Sequence, residues 1–534
     1  MPATIDRATL LRALQEANAY PHPVRGIEHL ETHISDVFLT GDYAYKLKKP
    51  LNLGFLDFST LERRRYCCEE ELRLNRRLAP ELYLAVVPIT GSASSPRLGG
   101  DGPIFDYAVQ MRQFDQSGLL ERVAARGELT AATIDAIADQ VAEFHAGLPA
   151  APPESGYGTA AEITGPALQN FEQLQPLLDG DAGRAALSQL REWTEGQHGE
   201  LTRLFEARRQ GGFVRECHGD LHLGNIVLVD GRVRIFDCIE FNPQLRWIDV
   251  INEAAFLAMD LIQRGYAGLA YRFVNRYLEH TGDYAGVRLL RYYMVYRALV
   301  RAKVAAMRAA QSGVGASVRT RLQDKCRVHI ELAQQLSRAP RQMLLIMHGL
   351  SGSGKTVLSQ VVLEALGAIR VRSDIERKRL HGLSASARTS SGVGEGIYAA
   401  PAGQATYDRL AALAEQILAG GFPALVDATF LKRDQRAQFR ALAIKHSTPF
   451  AVFDIQAAEA TLRQRIAQRA GAGADASEAS EAVLERQLAS QEPLTREEQA
   501  WSCSFDSEDA TPEHIAHRVL EVAQSIGAAG RLLS

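Results

Sequence analysis

The chain has 534 residues, which is too long for a single hydrophobic core, so we expect at least two domains. Its 60 Lys and Arg residues nearly balance its 63 Asp and Glu residues, and the formal net charge is −3. Overall charge therefore gives no indication of binding to nucleic acid or to a membrane. It does not exclude a local basic groove.

Cysteine spacing and hydropathy indicate the compartment. The six cysteines form no CxxC pair and no metal-ligand spacing. The first residues lack the apolar core of a signal peptide, and nowhere do about 18 apolar residues follow one another. We therefore predict a soluble, cytoplasmic protein with no membrane partner. No pattern predicts its oligomeric state.

The first elements predict a small sheet followed by a helix. Residues 33–49 alternate like two strands joined by a Thr-Gly-Asp turn, and Lys46 and Lys48 share one face of the second strand. A helix is predicted over residues 58–80, in which Glu71 falls on the apolar side. Periodicity does not choose between the two lysines. Solvated lysines and a solvated acidic patch are the alternative interpretations.

A mostly helical pattern over residues 129–311 is interrupted by one β-rich segment. Residues 217–241 read CHGDLHLGNIVLVDGRVRIFDCIEF. Two β-rich runs flank the dipeptide Asp230-Gly231, which tolerates positive φ, so this segment predicts a loop followed by a hairpin.

The predicted hairpin brings polar side chains together. It places Asp237 beside Asn225, where a carboxylate and an amide oxygen would share a magnesium ion, and it leaves Asp220 to accept the proton of an attacking hydroxyl. An ordinary turn before a hairpin is the alternative. The order of these residues resembles the protein-kinase-like fold in its small-molecule branch, the aminoglycoside phosphotransferase family, whose HGDxHxxN loop precedes a strand that ends in Asp. The resemblance implies that Asp220 is the catalytic base and that Asn225 and Asp237 are the magnesium ligands.

The same resemblance gives roles to residues outside this segment. It implies that a strand lysine contacts the ATP phosphates, and the sequence Ala-Tyr-Lys ending at Lys46 matches the family pattern Ala-x-Lys, which favours Lys46 over Lys48. Glu71 stands in the helix that presents a glutamate to that lysine. Asp249 resembles the structural Asp of the family, which implies a scaffold residue that holds the catalytic loop.

A second nucleotide motif lies near residue 350. Residues 343–347 predict a buried parallel strand, and GLSGSGKT follows, which is the P-loop pattern GxxxxGK[ST] between a strand and a helix. Backbone N–H groups of such a loop bind phosphates. The predicted phosphate-binding residues are Gly349, Gly352, Ser353, Gly354, Lys355 and Thr356. Lys355 would reach the β and γ phosphates, and the Thr356 hydroxyl would face magnesium.

Acidic residues follow the next two predicted strands. Residues 368–372 lead to Asp374, and a later buried strand ends in Asp427, at the edge of a doubly wound sheet where ligands bind. The patterns Asp-x-x-Arg and Val-Asp-x-Thr resemble polynucleotide kinase and its metabolite-kinase relatives. That resemblance implies Asp374 as general base, Arg377 as an acceptor clamp and Asp427 as a carboxylate on the magnesium side. A helix N-cap and a surface arginine are the alternative for Asp374 and Arg377.

A lid is predicted from the helical sequence of residues 461–469. Arg465 and Arg469 share one helical face there and would close on the transferring phosphate. A solvated basic face is the alternative interpretation.

Over nearly its whole length the chain resembles a bacterial fusion of an aminoglycoside phosphotransferase-like protein with a P-loop kinase. The resemblance implies a two-lobed protein-kinase-like domain over residues 1–338 and, over residues 339–534, a P-loop domain with a doubly wound parallel sheet. Such a mixed α+β and α/β enzyme would use ATP and Mg²⁺ to phosphorylate a small-molecule hydroxyl in its first domain and an unknown acceptor in its second. Two alternatives stay open: a nucleotide-sensing regulatory protein in which one ATP site controls the other, and phosphorylation of a nucleic-acid end by the second domain.

Overall fold

The computed structural model describes residues 6–52, 54, 56–178, 180–311, 313–384, 387, 400–472, 480–508 and 511–529. The chain divides into two compact units. Unit 1 comprises Met1–Thr133, Glu143–Asp260 and Tyr296–Glu331, and unit 2 comprises Ile134–Ala142, Leu261–Val295 and Leu332–Ser534.

Both units contain many helices. In chain order they are α1 (Arg7–Ala13), α2 (Leu61–Asn75), α3 (Leu120–Ala125), α4 (Ala131–Gly147), α5 (Ala160–Leu174), α6 (Asp181–Gln210), α7 (Val250–Gln263), α8 (Ala267–Thr281), α9 (Val287–Ala309), α10 (Ala316–Ser337), α11 (Lys355–Leu366), α12 (Ser373–Leu380), α13 (Ala400–Ala419), α14 (Arg433–Lys445), α15 (Glu459–Ala472), α16 (Glu481–Ser490), α17 (Arg496–Gln499) and α18 (Pro512–Ala529). Among the helices described, none combines the length and the apolar character needed to span a bilayer.

Unit 1 opens with an antiparallel sheet of six strands. They are β1 (Glu28–Glu31), β2 (Ser35–Leu39), β3 (Tyr43–Lys48), β4 (Tyr83–Ser92), β5 (Ser95–Leu98) and β6 (Ile104–Arg112), paired in the order β1-β2-β3-β6-β4-β5. Residues 33–49 form the predicted β2–β3 pair, and both faces of this pair are buried. Phe38 and Tyr45 pack in one core cluster, and their neighbours Leu39 and Ala44 pack in another.

The helical part of unit 1 carries two short strand pairs. Their strands are β7 (Val214–Glu216), β8 (Ile226–Val229), β9 (Arg232–Ile235) and β10 (Trp247–Asp249). Strands β8 and β9 form the predicted hairpin. At its turn, φ is +50° for Asp230 and +71° for Gly231, and positive values at both central residues match the twist of a two-residue hairpin.

Unit 2 contains a sheet of five parallel strands. They are β11 (Leu344–His348), β12 (Ile369–Arg372), β13 (Ala424–Asp427), β14 (Phe450–Gln456) and β15 (Ser502–Asp506), in the order β12-β13-β11-β14-β15. Strand β11 is buried along its whole length apart from a slight exposure of its last residue, as its continuous apolar sequence predicts. The predicted fold class, a kinase-like part followed by a parallel P-loop sheet, is confirmed.

No single position in the chain separates the two units. Residues 134–142 and 261–295, which include the whole of α8, group with the parallel sheet of unit 2. The domain boundary after residue 338 stays a prediction. The composition of unit 2 shows that the P-loop sheet packs with helices that precede this boundary.

Candidate functional site

The loop and hairpin of unit 1 bring three predicted site residues together. The Asn225 amide nitrogen donates to the Asp220 carboxylate at 2.9 Å and to the Asp220 carbonyl at 3.0 Å. The main-chain carbonyl of Asn225 accepts the backbone N–H of Phe236, at the end of the hairpin, at 3.0 Å. The next residue, Asp237, has a left-handed φ of +65°, which is uncommon for a residue with a Cβ, and its N–H donates to the Tyr83 hydroxyl at 3.1 Å.

Asp220 lies among groups that favour its ionised form. Burial alone raises the pKa of its carboxyl, but the His222 imidazole and the Arg301 guanidinium outweigh burial and hold that pKa well below its usual range. His222 Nε2 lies 3.3 Å from the Asp220 carboxylate and 3.2 Å from Arg301 Nη1. The side chain is therefore a carboxylate at neutral pH, which is the form that accepts a proton, and its lowered pKa makes it a weak base.

Both lysines of strand β3 bind the same glutamate. Lys46 Nζ donates to one Glu71 carboxylate oxygen at 2.8 Å, and Lys48 Nζ donates to the other at 2.5 Å. Lys46 also pairs with Asp237, whereas Lys48 pairs with Glu240. Glu71 and Lys48 are fully buried, so the solvated alternatives for these two residues are wrong.

The charges of this cluster hold one another ionised. Burial alone would lower the pKa of Lys46, but the nearby carboxylates of Asp237 and Glu71 hold it well above its usual value. Burial likewise raises the pKa of Glu71, and the two lysines overcome that effect and lower it. The cluster thus connects β3 and α2 to the residue at the end of the hairpin.

Glu253, a residue that the sequence analysis missed, anchors the loop. Its carboxylate accepts the backbone N–H of His218 at 2.9 Å and of Gly219 at 2.6 Å, and it lies 3.1 Å from His145 Nε2. Burial raises the pKa of this carboxyl, but its hydrogen bond and charge interaction with His145 lower it to about 2. A single acidic residue inside the apolar start of α7 was the available signal, because a buried carboxylate requires partners.

Asp249, which is predicted to hold the loop, binds α6 and the start of α7 through its carboxylate, and its scaffold role stays a prediction. Its carboxylate accepts hydrogen bonds from Nε and Nη2 of Arg208, at 2.6 and 2.9 Å, and from the backbone N–H of Ile251 at 2.8 Å. Asp249 therefore fixes α6 to the start of α7, and Glu253, one helical turn later, holds the catalytic loop.

The P-loop of unit 2 depends on its glycines. Gly349, Gly352 and Gly354 have φ values of +143°, +85° and +97°. A Cβ on Gly349 would lie 2.6 Å from a backbone oxygen of β14, so only glycine fits there without displacement. Helix α11 begins at Lys355, whose Nζ donates to the Leu350 carbonyl at 2.7 Å across the loop.

Arg465 of α15 lies beside the P-loop. Its Nη1 is 3.4 Å from the Gly352 carbonyl, 3.5 Å from the Ser353 carbonyl and 2.8 Å from the Ser507 hydroxyl. The structure thus places this predicted lid residue against the phosphate-binding turn. The side chain of its predicted partner, Arg469, lies outside the described residues.

The two predicted acidic residues of unit 2 lie at the carboxyl ends of neighbouring strands. Asp427 is the last residue of β13, next to the P-loop strand β11, and it accepts from the Ser359 hydroxyl at 3.1 Å. Asp374 lies in the first turn of α12, directly after β12, where Arg377 Nη1 is 3.1 Å from its carboxylate. The N-cap position of α12 belongs to Arg372, and the Arg377 side chain is only 15% exposed, so neither alternative interpretation holds.

Comparison with known proteins bears on both halves of the chain. The model of the family described as "Phosphotransferase enzyme family" matches residues 64–290, and the model described as "AAA domain" matches residues 344–494. Among solved structures, a gluconokinase from Sinorhizobium meliloti has a TM-score of 0.26 at 22% identity and covers 37% of this chain and 99% of its own. An ethanolamine kinase from Plasmodium vivax has a TM-score of 0.36 at 11% identity and covers 57% of this chain and 81% of its own.

Relatives match the two halves together. Uncharacterised proteins of Mycobacterium bovis and Mycobacterium tuberculosis are 32% identical to this chain over 473 residues, which is 87% of this chain and 91% of each relative. Because the match covers 87% of the chain, it extends over both halves, as the predicted fusion requires. The chain belongs to the same family as these mycobacterial proteins, a fusion of a phosphotransferase domain with a P-loop kinase-like domain, and it is a kinase.

Proposed function

We propose that the site of unit 1 transfers the terminal phosphoryl group of ATP to a hydroxyl group of a small molecule. The observation that carries this proposal is the convergence of Asp220, Asn225 and Asp237 on one loop and hairpin, connected to a buried lysine and glutamate pair. Asp220 is the base: its carboxylate is 35% exposed and ionised, so it can accept the proton of an attacking hydroxyl.

The donor atoms of this site suit magnesium. Asn225 already uses its amide nitrogen toward Asp220, so its amide oxygen is the atom that would bind a cation, together with the Asp237 carboxylate. Such oxygen ligands are those that Mg²⁺ prefers. When bound, the ion supplies neutralisation of the charge on the ATP phosphates.

Lys46 is the proposed phosphate-binding lysine of the first site. Its ammonium group contacts both Glu71 and Asp237, so it lies between the helix glutamate and a proposed metal ligand. Lys48 contacts Glu71 from the side of Glu240. In this arrangement Lys48 keeps Glu71 in place while Lys46 faces the nucleotide.

For unit 2 we propose a second, separate phosphotransferase activity with a different acceptor. Lys355 and the turns at the P-loop glycines support ATP binding, and Thr356 and Asp427 supply oxygen ligands for Mg²⁺. Asp374 is the proposed base toward the acceptor, and Arg377 holds its carboxylate from one helical turn away. Arg465 would stabilise the charge on the transferred group.

The first experiment is phosphate transfer from ATP and Mg²⁺ to acceptors in a metabolite extract and to a short oligonucleotide, followed by mass spectrometry. The variants are Asp220→Asn and Lys355→Ala. Matched controls are Asp230→Asn, at an exposed turn whose φ of +50° asparagine tolerates, and Lys445→Ala, whose side chain is 64% exposed.

The two variants assign each product to a site. We expect a phosphorylated small molecule that disappears with Asp220→Asn alone and a second product that disappears with Lys355→Ala alone. A phosphorylated oligonucleotide lost with Lys355→Ala would identify a nucleic-acid end as the acceptor of unit 2. If ATP binds and no acceptor gains phosphate, the proposal fails and a nucleotide-sensing role replaces it.

A further inference from the structure

A buried cluster of charges lies beneath Asp427 in unit 2. It contains Glu279 from α8, Arg370 and Arg372 from β12, and Asp427 from β13. Glu279, Arg370 and Asp427 are 4, 5 and 6% exposed, and the Arg372 side chain is 13% exposed. Charged groups this far from water depend on one another for compensation.

One connection from Glu279 to Asp427 consists of hydrogen bonds. Arg370 donates to a single Glu279 oxygen through Nε at 3.0 Å and through Nη2 at 2.6 Å. Its Nη1 donates to the Ser359 hydroxyl at 3.0 Å. That hydroxyl in turn lies 3.1 Å from Asp427 Oδ2 and 3.0 Å from the carbonyl of Thr356, the P-loop residue proposed to face magnesium.

The other connection is purely ionic. Arg372 stands opposite Asp427 in the pairing of β12 with β13. Its guanidinium lies 3.7 Å from the second Glu279 oxygen and 3.8 Å from Asp427 Oδ2. Glu279 and Asp427 therefore share Arg372. The negative charge of each carboxylate weakens the attraction between Arg372 and the other carboxylate.

These four residues carry two positive and two negative charges. Loss of the Glu279 charge would remove a carboxylate that both arginines face, so more of their positive charge would act on Asp427. A carboxylate that compensates two buried guanidinium groups attracts a divalent cation less strongly. The charge on α8 thus controls how much of the Asp427 charge is available on the P-loop side.

We propose that Glu279 is a positioning residue of the P-loop site, which holds Arg370 and Arg372 so that the Asp427 carboxylate stays available for magnesium. The inference rests on the proposed function of unit 2 and extends it. It also means that the P-loop site depends on a side chain that precedes the predicted boundary at residue 338 by almost sixty positions.

The test measures how much Mg²⁺ the P-loop needs to bind nucleotide. In the full-length chain, hydrogen exchange of residues 349–356 is followed with a non-hydrolysable ATP analogue while the Mg²⁺ concentration is raised. We expect Glu279→Gln to raise the Mg²⁺ concentration for half-maximal protection on the order of tenfold, the effect of one uncompensated charge nearby. Glu415→Gln, which removes the same charge from a surface pair with Lys445, is expected to leave it unchanged.

Two further variants test the charge argument itself. Arg372→Gln is expected to lower the Mg²⁺ requirement, and Glu279→Gln combined with Arg372→Gln is expected to return it toward that of the wild type. Arg372→Gln alone decides the matter if Glu279→Gln does not fold, since an unchanged or higher Mg²⁺ requirement would then overturn the inference.

The outcomes separate this inference from the proposed function. Wild-type residues 349–356 that gain no protection at any Mg²⁺ concentration would overturn nucleotide binding by the P-loop and both proposals with it. Mg²⁺-dependent protection that is identical in the wild type and Glu279→Gln would overturn the role of Glu279 alone. Protection lost at every Mg²⁺ concentration and not restored in the double variant would show a merely structural contact, and this also contradicts the inference.

Discussion

The two sites of this chain are built from residues at very different distances along the sequence. Lys46 and Asp237 pair in unit 1 although 191 positions separate them, whereas the P-loop of unit 2 occupies the consecutive residues 349–356. The first site consists of charged side chains that hold one another, and the second consists of backbone N–H groups held by glycine turns. A change of side-chain charge should therefore reduce the activity of the first site only in part. One added carbon at a P-loop glycine should abolish most nucleotide binding at the second site.

Gly349→Ala is expected to have the largest effect. The new Cβ would meet a backbone oxygen of β14 at 2.6 Å, and a φ of +143° is strained for any residue with a side chain. Nucleotide affinity at the P-loop should fall by about 100-fold or more, a loss of about 3 kcal/mol. Hydrogen exchange of residues 349–356 with and without the ATP analogue measures it, and first-site turnover should persist.

Gly403→Ala is the matched control for this prediction. Gly403 lies in α13, and a Cβ there would meet no atom within 4 Å. Alanine in a helix interior is favourable. An unchanged nucleotide affinity in Gly349→Ala would contradict the view that the second site depends on its backbone turn.

Lys46→Met and Lys48→Met test whether the first site responds by degrees. Both lysines bind Glu71, and only Lys46 also contacts Asp237. First-site kcat/KM should fall about 100-fold in Lys46→Met and about tenfold in Lys48→Met, because in the proposed arrangement Lys46 faces the nucleotide and Lys48 holds Glu71. Steady-state kinetics on the acceptor identified for unit 1 give both values, and equal losses would contradict the assignment of Lys46.

Local sequence patterns predicted much of this arrangement. The turn at Asp230-Gly231, the β2–β3 pair and the glycine-rich loop each depend on neighbouring residues, so the sequence carries their geometry directly. The resemblance to known kinases supplied the two-part fold, which is confirmed. The positions of Asn225 and of the P-loop residues follow from these local elements.

Long-range pairing was beyond local patterns. A solvated strand end was the alternative interpretation of Lys48, because no periodicity shows that Glu240 would lie opposite it, 192 positions later. Asp249 and Glu253 are both acidic residues near the start of α7. Only the packing of α6 determines that Arg208 binds Asp249 and not Glu253. The same reason explains why a residue of α8, Glu279, was not linked to the parallel sheet.

Glu253→Gln and Asp249→Asn distinguish an anchor of the loop from a structural ion pair. Glu253 holds two N–H groups of the catalytic loop, so Glu253→Gln should lower first-site kcat about tenfold with little change in KM for ATP. Asp249→Asn removes the carboxylate charge that the buried Arg208 binds, so it should lower the unfolding temperature and leave the kcat of the folded enzyme unchanged. The opposite pattern would restore Asp249 as the anchor.

The smallest expected effect is a pH dependence of the loop. Because the pKa of Glu253 is lowered from 4.5 to about 2 in the folded protein, its ionised form stabilises the fold above pH 4.5, and this stabilisation is lost as the pH falls toward about 2. Protection of residues 217–225 from hydrogen exchange, corrected for the intrinsic rate, should therefore differ between the wild type and Glu253→Gln at pH 6, and this difference should shrink as the pH falls from 4.5 to 3. A difference that stays constant over this range would show that the loop is held by packing, and the first site would then depend on charge less than its contacts indicate.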